Sequence, residues 1–138
     1  MPKFSQRSLN NLVNVHQDLV ALMHESIKEF NFTVICGQRT QAEQQELYKQ
    51  GRTKPGKRVT NVDGVKNKSK HNYSPSLAVD ICPYPIDWND LKRFKALSQV
   101  VLRVAKEMKE KGLINSDIEW GGNFKSLVDY PHYQIKSN

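Results

Sequence analysis

The apolar residues of this chain recur with two different spacings, and this contrast limits the folds that the chain can adopt. Over the first 30 residues, and again over residues 88–111, apolar positions repeat at the three- and four-residue intervals of amphipathic helices. Four shorter runs are typical of strands: residues 32–36, 77–81, 118–120 and 133–135. Helices that flank short antiparallel strands predict an α+β fold with a small sheet.

Local signals set the expected limits of the helices. The sequence Thr-Gln-Ala-Glu at residues 40–43 has the form of a capping box and predicts that a helix begins there. Asp87 is the expected N-cap of the long helix over residues 88–111, with Leu91 in its buried stripe. Residues 52–75 are rich in glycine, proline, asparagine, serine and lysine, and predict a long loop.

Length and composition favour a soluble globular chain. The 138 residues suit one domain, and no run approaches the roughly 20 apolar residues that span a bilayer. The N-terminal residues are polar and lack the apolar core of a signal peptide, so synthesis in the cytoplasm is expected. Cys36 and Cys82 each lie in a predicted strand, and we expect both to be reduced thiols.

Positive charge is concentrated in the predicted loop. The chain carries a net charge of +7, and residues 52–70 contain one acidic residue, Asp63, among seven basic ones: Arg52, Lys54, Lys57, Arg58, Lys66, Lys68 and Lys70. Such a segment is compatible with binding to DNA, RNA, an anionic lipid surface or an anionic wall polymer. A solvated loop without a partner has the same composition, so charge alone does not choose among these.

Two of the four histidines lie where a metal site is chemically reasonable. Asp80 follows His71 by nine residues, in a strand where a carboxylate is costly to bury unless it is paired or bound to a metal. His132 opens the last strand, three residues after Asp129. Two imidazoles and one carboxylate suit a catalytic zinc ion with an open fourth position, and Asp129 is placed to act as its acid/base. The same spacing also occurs in surface residues that bind no metal. The other two histidines lie among polar residues of the N-terminal helices and are not expected to be ligands: His16 and His24.

Motifs along nearly the whole chain resemble those of the L-alanyl-D-glutamate endopeptidases. In order they are Gly37-Gln38-Arg39-Thr40, the Gly-Arg-Thr-Lys-Pro-Gly-Lys sequence at 51–57, Ser69-x-His71, Ala78-x-Asp80, Trp120-Gly121-Gly122 and Asp129-x-x-His132-Tyr133-Gln134. These enzymes belong to the D-alanyl-D-alanine carboxypeptidase superfamily of zinc metallopeptidases, which includes the vancomycin-resistance dipeptidases. The resemblance implies a hedgehog/D-Ala-D-Ala peptidase-like zinc peptidase fold. We expect residues 1–138 to form a single catalytic domain, and, as a departure from the family, without a separate cell-wall-binding module.

The resemblance also implies roles for individual residues. The family's zinc ligands match His71, Asp80 and His132. Asp129 matches its catalytic carboxylate. Arg39 matches an arginine that contacts the substrate and stabilises the developing oxyanion, a role that suits a fixed guanidinium. Ser69 either binds substrate or shapes the loop.

The function implied by the resemblance is that of a phage endolysin, a zinc peptidase that cuts the L-alanyl–D-glutamate bond of peptidoglycan. Such a monomeric enzyme waits in the host cytoplasm until a membrane-permeabilising holin gives it access to the wall, and it needs no nucleic acid. Two alternatives stay open. One is a D-alanyl-D-alanine carboxypeptidase or dipeptidase with the same metal site. The other is a non-catalytic module that binds wall polymer or nucleic acid through the basic loop.

Two departures from the family pattern are expected to alter the surroundings of the site. The family usually places the aspartate seven residues after the first histidine, whereas Asp80 follows His71 by nine. The two extra residues fall in a turn-prone stretch, which a longer loop can absorb. Asn123 and Phe124 stand where relatives often have an aspartate and a second tryptophan. This second change is expected to affect a supporting contact and not a ligand.

Overall fold

The computed structural model describes residues 2–60, 62–64 and 68–137. Within this part of the chain the helices are α1 (Gln6–Asn11), α2 (Gln17–Ser26), α3 (Gln41–Lys49) and α4 (Leu91–Glu110). The strands are β1 (Phe32–Cys36), β2 (Ala78–Pro83), β3 (Ile118–Trp120) and β4 (His132–Ile135). Two short 3₁₀ turns lie at Lys70–Asn72 and Gly121–Asn123. The four strands predicted from the sequence are therefore present: β1 and β3 have the predicted limits, and those of β2 and β4 differ by one or two residues.

The strands form one antiparallel sheet in the order β1-β2-β4-β3. Asp80 pairs with His132 across β2 and β4, and Gln134 pairs with Glu119 across β4 and β3. Since side chains alternate along a strand, these four residues share one face of the sheet. This arrangement confirms the predicted α+β fold with a small antiparallel sheet, and it gives the sheet one polar face.

The opposite face of the sheet holds the hydrophobic core, against which α2 and α4 pack. Its members are almost completely buried apolar side chains: Leu19, Leu22, Val34, Val79, Ile81, Leu97, Val101 and Tyr133. Each such side chain contributes about 1.5–3 kcal/mol through its removal from water. The helices therefore cover one side of the sheet and leave the polar side accessible.

The capping box predicted for α3 is confirmed. The Thr40 hydroxyl accepts a hydrogen bond from the Glu43 backbone N–H at 3.1 Å, and the Glu43 carboxylate accepts one from the Thr40 N–H at 3.0 Å. These two bonds satisfy backbone donors that a helix start would otherwise leave unpaired. They also fix the backbone at the N-cap, next to which Arg39 lies in the sequence.

The predicted start of α4 is wrong by three residues. Asp90, not Asp87, is the N-cap, and its carboxylate accepts from the Arg93 backbone N–H at 3.4 Å. Asp87 instead closes the preceding turn by accepting from the Asn89 N–H at 3.0 Å. Leu91 is consequently the first residue of the helix, where it projects beyond the core and is 42% exposed. Its predicted burial is therefore wrong too.

The N-terminal helical region is divided by a turn that supports the segment between His71 and Asp80. Asn14 adopts a left-handed conformation with φ of 59°, and His16, two residues later, is the N-cap of α2. Ser76 donates its backbone N–H to the Asn14 carbonyl at 2.8 Å, and its own carbonyl accepts from the His16 N–H at 2.9 Å. The longer interval between the two predicted ligands is thus accommodated by pairing with this turn.

Two expectations from composition agree with the structure. Cys36 and Cys82 are both free thiols. In the described part of the chain, no helix combines the length and the apolar character that crossing a bilayer requires.

Candidate active site

An open cleft of about 270 Å³ lies on the polar face of the sheet. One wall comes from the predicted loop and the other from the segment after β3. The residues predicted from the sequence meet in this cleft: Arg39, Ser69, His71, Asp129 and His132 all line it. A larger groove of about 610 Å³ lies between α4 and the start of β3, but none of the predicted site residues lines it. The smaller cleft is therefore the candidate active site.

Asp80 lies at the centre of a cluster with both histidines. Its Oδ1 atom is 3.3 Å from Nε2 of His71 and 3.2 Å from Nδ1 of His132. The two imidazole rings stand 5.1 Å apart, inclined at 71°. Both histidine side chains are buried, at 3% and 8% exposure, and Asp80 is 15% exposed. The sheet register explains this proximity, because Asp80 and His132 are paired residues of adjacent strands.

The hydrogen bonds on the far side of each ring define which nitrogen is left to face Asp80. Nδ1 of His71 lies 2.7 Å from the Gly37 carbonyl oxygen, and Nε2 of His132 lies 2.7 Å from Oε1 of Gln134. Both partners are acceptors, so each of these ring nitrogens carries a proton and donates it. The remaining nitrogens, Nε2 of His71 and Nδ1 of His132, face the Asp80 carboxylate, and each offers a lone pair to a cation that displaces any proton bound there. Nε2 of His71 is buried and, despite its proximity to Asp80, makes no hydrogen bond. Three electron-pair donors that converge in this way fit a cation between them.

Burial and charge act in opposite directions within this cluster. Burial favours the neutral carboxyl of Asp80, but the adjacent His71 charge outweighs it, and the pKa of Asp80 lies well below its usual range. Burial likewise disfavours the His71 imidazolium, yet the negative charge of Asp80 raises the pKa of His71 to about 10. For Asp129, burial and then the charge of Asp80 both raise the pKa of the carboxyl. The site as a whole therefore attracts positive charge.

Among the residues that the structure describes, two overlapping groups have the geometry to hold a metal ion. One consists of Cys36, His71 and Asp80, and the other of Asp80, Asp129 and His132, with ligand atoms within 4.8 Å of one another. Asp80 belongs to both groups, and each group contains one of the two histidines. The residues present are therefore compatible with a metal centred near Asp80.

Asp129 lies at the edge of this cluster and is more accessible than the other members. Its side chain is 40% exposed, with Oδ2 3.9 Å from Nδ1 of His132. Its backbone N–H donates to the Gly121 carbonyl at 3.0 Å, and its carbonyl accepts from the His132 N–H at 3.2 Å. A side chain at Gly121 would place Cβ 2.2 Å from the Asp129 carbonyl oxygen. The glycine thus permits the turn that carries Asp129 to the cluster.

Arg39 is held at the rim of the cleft by contacts of both its side chain and its backbone. Its Nη2 atom lies 3.7 Å from Oδ2 of Asp80, and its Nη1 donates to Oε1 of Gln44 at 2.7 Å. Its backbone N–H donates to the His71 carbonyl at 2.7 Å. The guanidinium therefore points into the cleft from a fixed backbone position.

Ser69 shapes the loop that carries His71. Its hydroxyl caps the 3₁₀ turn Lys70–Asn72 by accepting from the His71 N–H at 3.2 Å, and its backbone N–H donates to Oδ1 of Asn72 at 2.9 Å. Ser69 also lines the cleft, and a contact between its side chain and substrate stays a prediction. The two histidines not expected to be ligands lie in α2 or at its start: His16 caps the helix, and His24 packs on Phe4.

Several of the basic residues of the loop are engaged within the protein. Arg52 donates to the Tyr48 and Thr60 carbonyl oxygens at 2.8 and 3.2 Å. Lys54 pairs with Glu46, and Lys70 donates to the Ile135 carbonyl at 2.6 Å. Lys66 lies outside the described residues. The exposed basic residues that remain are Lys57, Arg58 and Lys68.

Three residues of the site were not predicted. Cys36 was interpreted only as a small buried residue, but its Sγ lies 4.0 Å from Nδ1 of His71 and 3.8 Å from Nη2 of Arg39. Gln44 has no role predicted from the sequence, although it is completely buried. Gln134 belongs to the last motif of the resemblance, which implies no role for it. The burial of Gln44 in an otherwise polar helix follows from its contacts with other residues, and the sequence alone gives no signal for it.

The fold and the site indicate a hydrolase of the peptidase class, and comparison with known proteins identifies the family. The profile of the family described as "Phage L-alanyl-D-glutamate peptidase" matches residues 1–137. The chain belongs to the phage L-alanyl-D-glutamate peptidase family. The family predicted from the sequence motifs is therefore confirmed.

Three known proteins illustrate this similarity. The chain is 33% identical over 119 residues to peptidoglycan L-alanyl-D-glutamate endopeptidase CwlK of Bacillus subtilis, covering 80% of this chain and 64% of that protein. It is 28% identical over 139 residues to the L-alanyl-D-glutamate peptidase of Escherichia phage T5, covering 97% and 89%. The crystal structure of the Serratia marcescens L-Ala D-Glu endopeptidase ChiX matches with a TM-score of 0.75 at 27% identity. That match covers 97% of this chain and 90% of the other.

Proposed function

We propose that the cleft is the active site of a zinc-dependent endopeptidase that hydrolyses the L-alanyl–D-glutamate bond of peptidoglycan stem peptides, which leads to wall degradation and host lysis. Membership of the family supports the reaction, as do the activities named for the Bacillus, phage T5 and Serratia proteins. The observation that carries the proposal is the convergence of one nitrogen of each imidazole on Asp80, while the other nitrogen of each ring donates its proton to an acceptor on the far side.

The donor set favours zinc over other common metal ions. In the proposed site the ligands are His71, Asp80 and His132, and such a combination of two nitrogens and one oxygen suits a zinc ion with an open position. Calcium and magnesium prefer sites made of oxygen atoms. Cys36 is not among the proposed ligands, because its sulfur lies near Nδ1 of His71, which donates to the Gly37 carbonyl. The proposed metal lies on the other side of that ring, where Nε2 faces Asp80.

Three side chains of the cleft have distinct proposed tasks. Zinc in such sites supplies Lewis acidity, which polarises a carbonyl group and lowers the pKa of water towards 7. Asp129 accepts a proton from the attacking water and later delivers it to the leaving amine. Its raised pKa and its partial exposure suit a group that exchanges protons. Arg39 stabilises the negative charge that develops on the carbonyl oxygen.

The surroundings of the cleft suit an anionic leaving group. D-Glutamate joined through its amino group retains a carboxyl group close to the bond that is cut. Lys68 lines the cleft, is exposed, and lies 5.4 Å from the centre of the Tyr73 ring. In the proposed complex Lys68 neutralises that carboxylate, and Ser69 lies beside it on the same wall.

The proposed cellular setting is that of a lysis enzyme. It is supported by the phage family and by the T5 relative. In this setting the enzyme resides in the host cytoplasm before lysis. It reaches peptidoglycan once a membrane-permeabilising partner of the holin type has opened the membrane.

The test is hydrolysis of purified peptidoglycan sacculi by the metal-free protein, the zinc-reconstituted protein and the chelator-treated protein, with identification of the new chain ends. The proposal expects zinc-dependent appearance of N-terminal D-glutamate. Release of D-alanine would instead identify the D-alanyl-D-alanine peptidase alternative. Intact sacculi under every condition would contradict an enzymatic role and favour a binding module.

A further inference from the structure

The two histidines of the cluster are held in different ways. His71 donates its Nδ1 proton to a backbone carbonyl, that of Gly37, at 2.7 Å. His132 donates its Nε2 proton to a side chain, Oε1 of Gln134, at 2.7 Å. A backbone carbonyl accepts hydrogen bonds and never donates them, whereas a glutamine amide can rotate to present either its oxygen or its nitrogen. Which ring nitrogen of His132 carries the proton therefore depends on the orientation of the Gln134 amide.

Glu119 determines that orientation. The amide nitrogen of Gln134 donates to Oε1 of Glu119 at 2.9 Å, and the two residues are paired across β3 and β4. An ionised carboxylate only accepts hydrogen bonds, so the amide must turn its NH₂ group towards Glu119 and its oxygen towards His132. The amide oxygen in turn requires that Nε2 of His132 carry the proton. Nδ1 is then left with its lone pair facing Asp80, 3.2 Å away.

We infer that Gln134 and Glu119 are positioning residues that select the metal-binding tautomer of His132. The chain Glu119–Gln134–His132 fixes the ring orientation and the proton position, while strand pairing fixes the backbone positions of all three residues. Neither Gln134 nor Glu119 belongs to either group with metal-binding geometry. This inference rests on the proposed function to the extent that it assumes a metal ion bound beside Asp80.

The first variant removes the acceptor. Gln134→Met keeps the length of the side chain but offers His132 no hydrogen-bond acceptor. We expect zinc affinity, measured by competition with a chromophoric chelator, to fall by about 10- to 100-fold, the usual cost of losing such a supporting partner. Gln45→Met makes the same chemical change at an exposed position of α3 and is expected to leave the affinity unchanged.

The second variant restores the chain of hydrogen bonds with its members exchanged. In the double variant Glu119→Gln/Gln134→Glu, a carboxylate at position 134 accepts from His132 and an amide at position 119 donates to that carboxylate. We expect it to recover most of the lost zinc affinity. Gln134→Glu alone places two carboxylates side by side and is expected to bind zinc less well than the double variant.

A spectroscopic measurement separates positioning from general structural support. In the cobalt-substituted protein, the exchangeable ring N–H protons of ligand histidines give separate, strongly shifted proton resonances. We expect Gln134→Met to lose the His132 resonance through solvent exchange while keeping that of His71, whose acceptor is the Gly37 backbone. Unchanged zinc affinity in Gln134→Met, or equal loss of both resonances, would overturn the inference. A wild-type protein that binds zinc and shows both resonances but leaves sacculi intact would contradict the proposed function alone.

Discussion

At the scale of single residues, Asp129 is the side chain whose two possible roles are easiest to separate. It belongs to a group with metal-binding geometry, yet it is more exposed than Asp80 and lies 3.9 Å from the nearest nitrogen of His132. A metal ligand and a proton carrier make different demands. Loss of a ligand weakens metal binding, whereas loss of a proton carrier slows the reaction and leaves the metal in place.

We therefore predict that Asp129→Asn and Asp129→Ala will lower kcat by at least about 100-fold, within the range attributed to general acid–base catalysis. Zinc affinity should stay close to that of the wild type. Turnover on sacculi and chelator competition measure the two quantities. Asp117→Asn, at an exposed aspartate that pairs with Lys109, is the control and should change neither. Parallel loss of zinc and activity would make Asp129 a ligand.

The sequence predicts some members of this site and not others for a physical reason. His71, Asp80, Asp129 and His132 stand out because of their chemical type and motif spacing, and the structure brings all four together. Cys36, Gln44 and Gln134 are unremarkable as residue types. Their positions in the site come from contacts between segments distant in sequence, such as the contact of Cys36 with His71, the bond from Gln44 to the Val62 carbonyl and the pairing of β3 with β4. No local pattern encodes those contacts.

At the scale of elements, Gln44 connects α3 to both the rim of the site and the basic loop. It is completely buried, and its Oε1 accepts from Nη1 of Arg39 at 2.7 Å. Its Nε2 donates to the Val62 carbonyl at 2.9 Å and to the Thr60 hydroxyl at 3.0 Å. A side chain at Gly64 would come within 3.0 Å of Gln44, which shows how closely the loop packs there. One amide group thus holds the arginine and the loop wall together.

We predict that Gln44→Leu will lower both the free energy of unfolding and the catalytic rate. The leucine leaves the Arg39 guanidinium and the Val62 carbonyl without their partner, which costs about 1–3 kcal/mol for a buried polar group. Urea unfolding measures the stability, and kcat on a soluble stem peptide measures the effect on Arg39.

Gln44→Glu separates the support that Gln44 gives to Arg39 from the support that it gives to the loop. A carboxylate still accepts from Arg39 but faces the Val62 carbonyl with a second acceptor. We expect this variant to keep more activity than Gln44→Leu while the backbone at Thr60 and Val62 becomes easier to cleave by protease. Activity equal to wild type in Gln44→Leu would show that Arg39 needs no support from α3.

Element boundaries show the same division between local and tertiary information. The capping box at Thr40 and Glu43 is a local signal, and the predicted start of α3 is confirmed. For α4 the sequence offers two acidic caps in succession, Asp87 and Asp90. The earlier residue is used by a turn of its own, so the helix starts later than predicted. The conformation of the segment between His71 and Asp80 likewise depends on its hydrogen bonds to the turn before α2, which the sequence does not reveal.

At the scale of the whole molecule, the net charge of +7 is distributed unevenly. The exposed basic residues of the loop form a surface that we define by Lys57, Arg58 and Lys68. Lys68 belongs to the cleft, whereas no described partner engages Lys57 or Arg58 through its charge. Exposed charges attract a polyanion over about 10 Å at 0.1 M ionic strength. This surface is therefore suited to an initial contact with anionic wall or outer-membrane polymer, next to the site of cleavage.

We predict that Lys57→Glu/Arg58→Glu will weaken binding to purified wall material at low salt, with a smaller effect at high salt, where the attraction is screened. Lys54→Glu alone should contribute less, because Lys54 already pairs with Glu46. Lys92→Glu/Lys95→Glu makes the same change in net charge on exposed positions of α4 and is the matched control. Co-sedimentation with sacculi, using protein made inactive by Asp129→Asn, measures binding without hydrolysis. Equal losses in the two double variants would assign the attraction to net charge, and unchanged binding in Lys57→Glu/Arg58→Glu would reject a role for the loop.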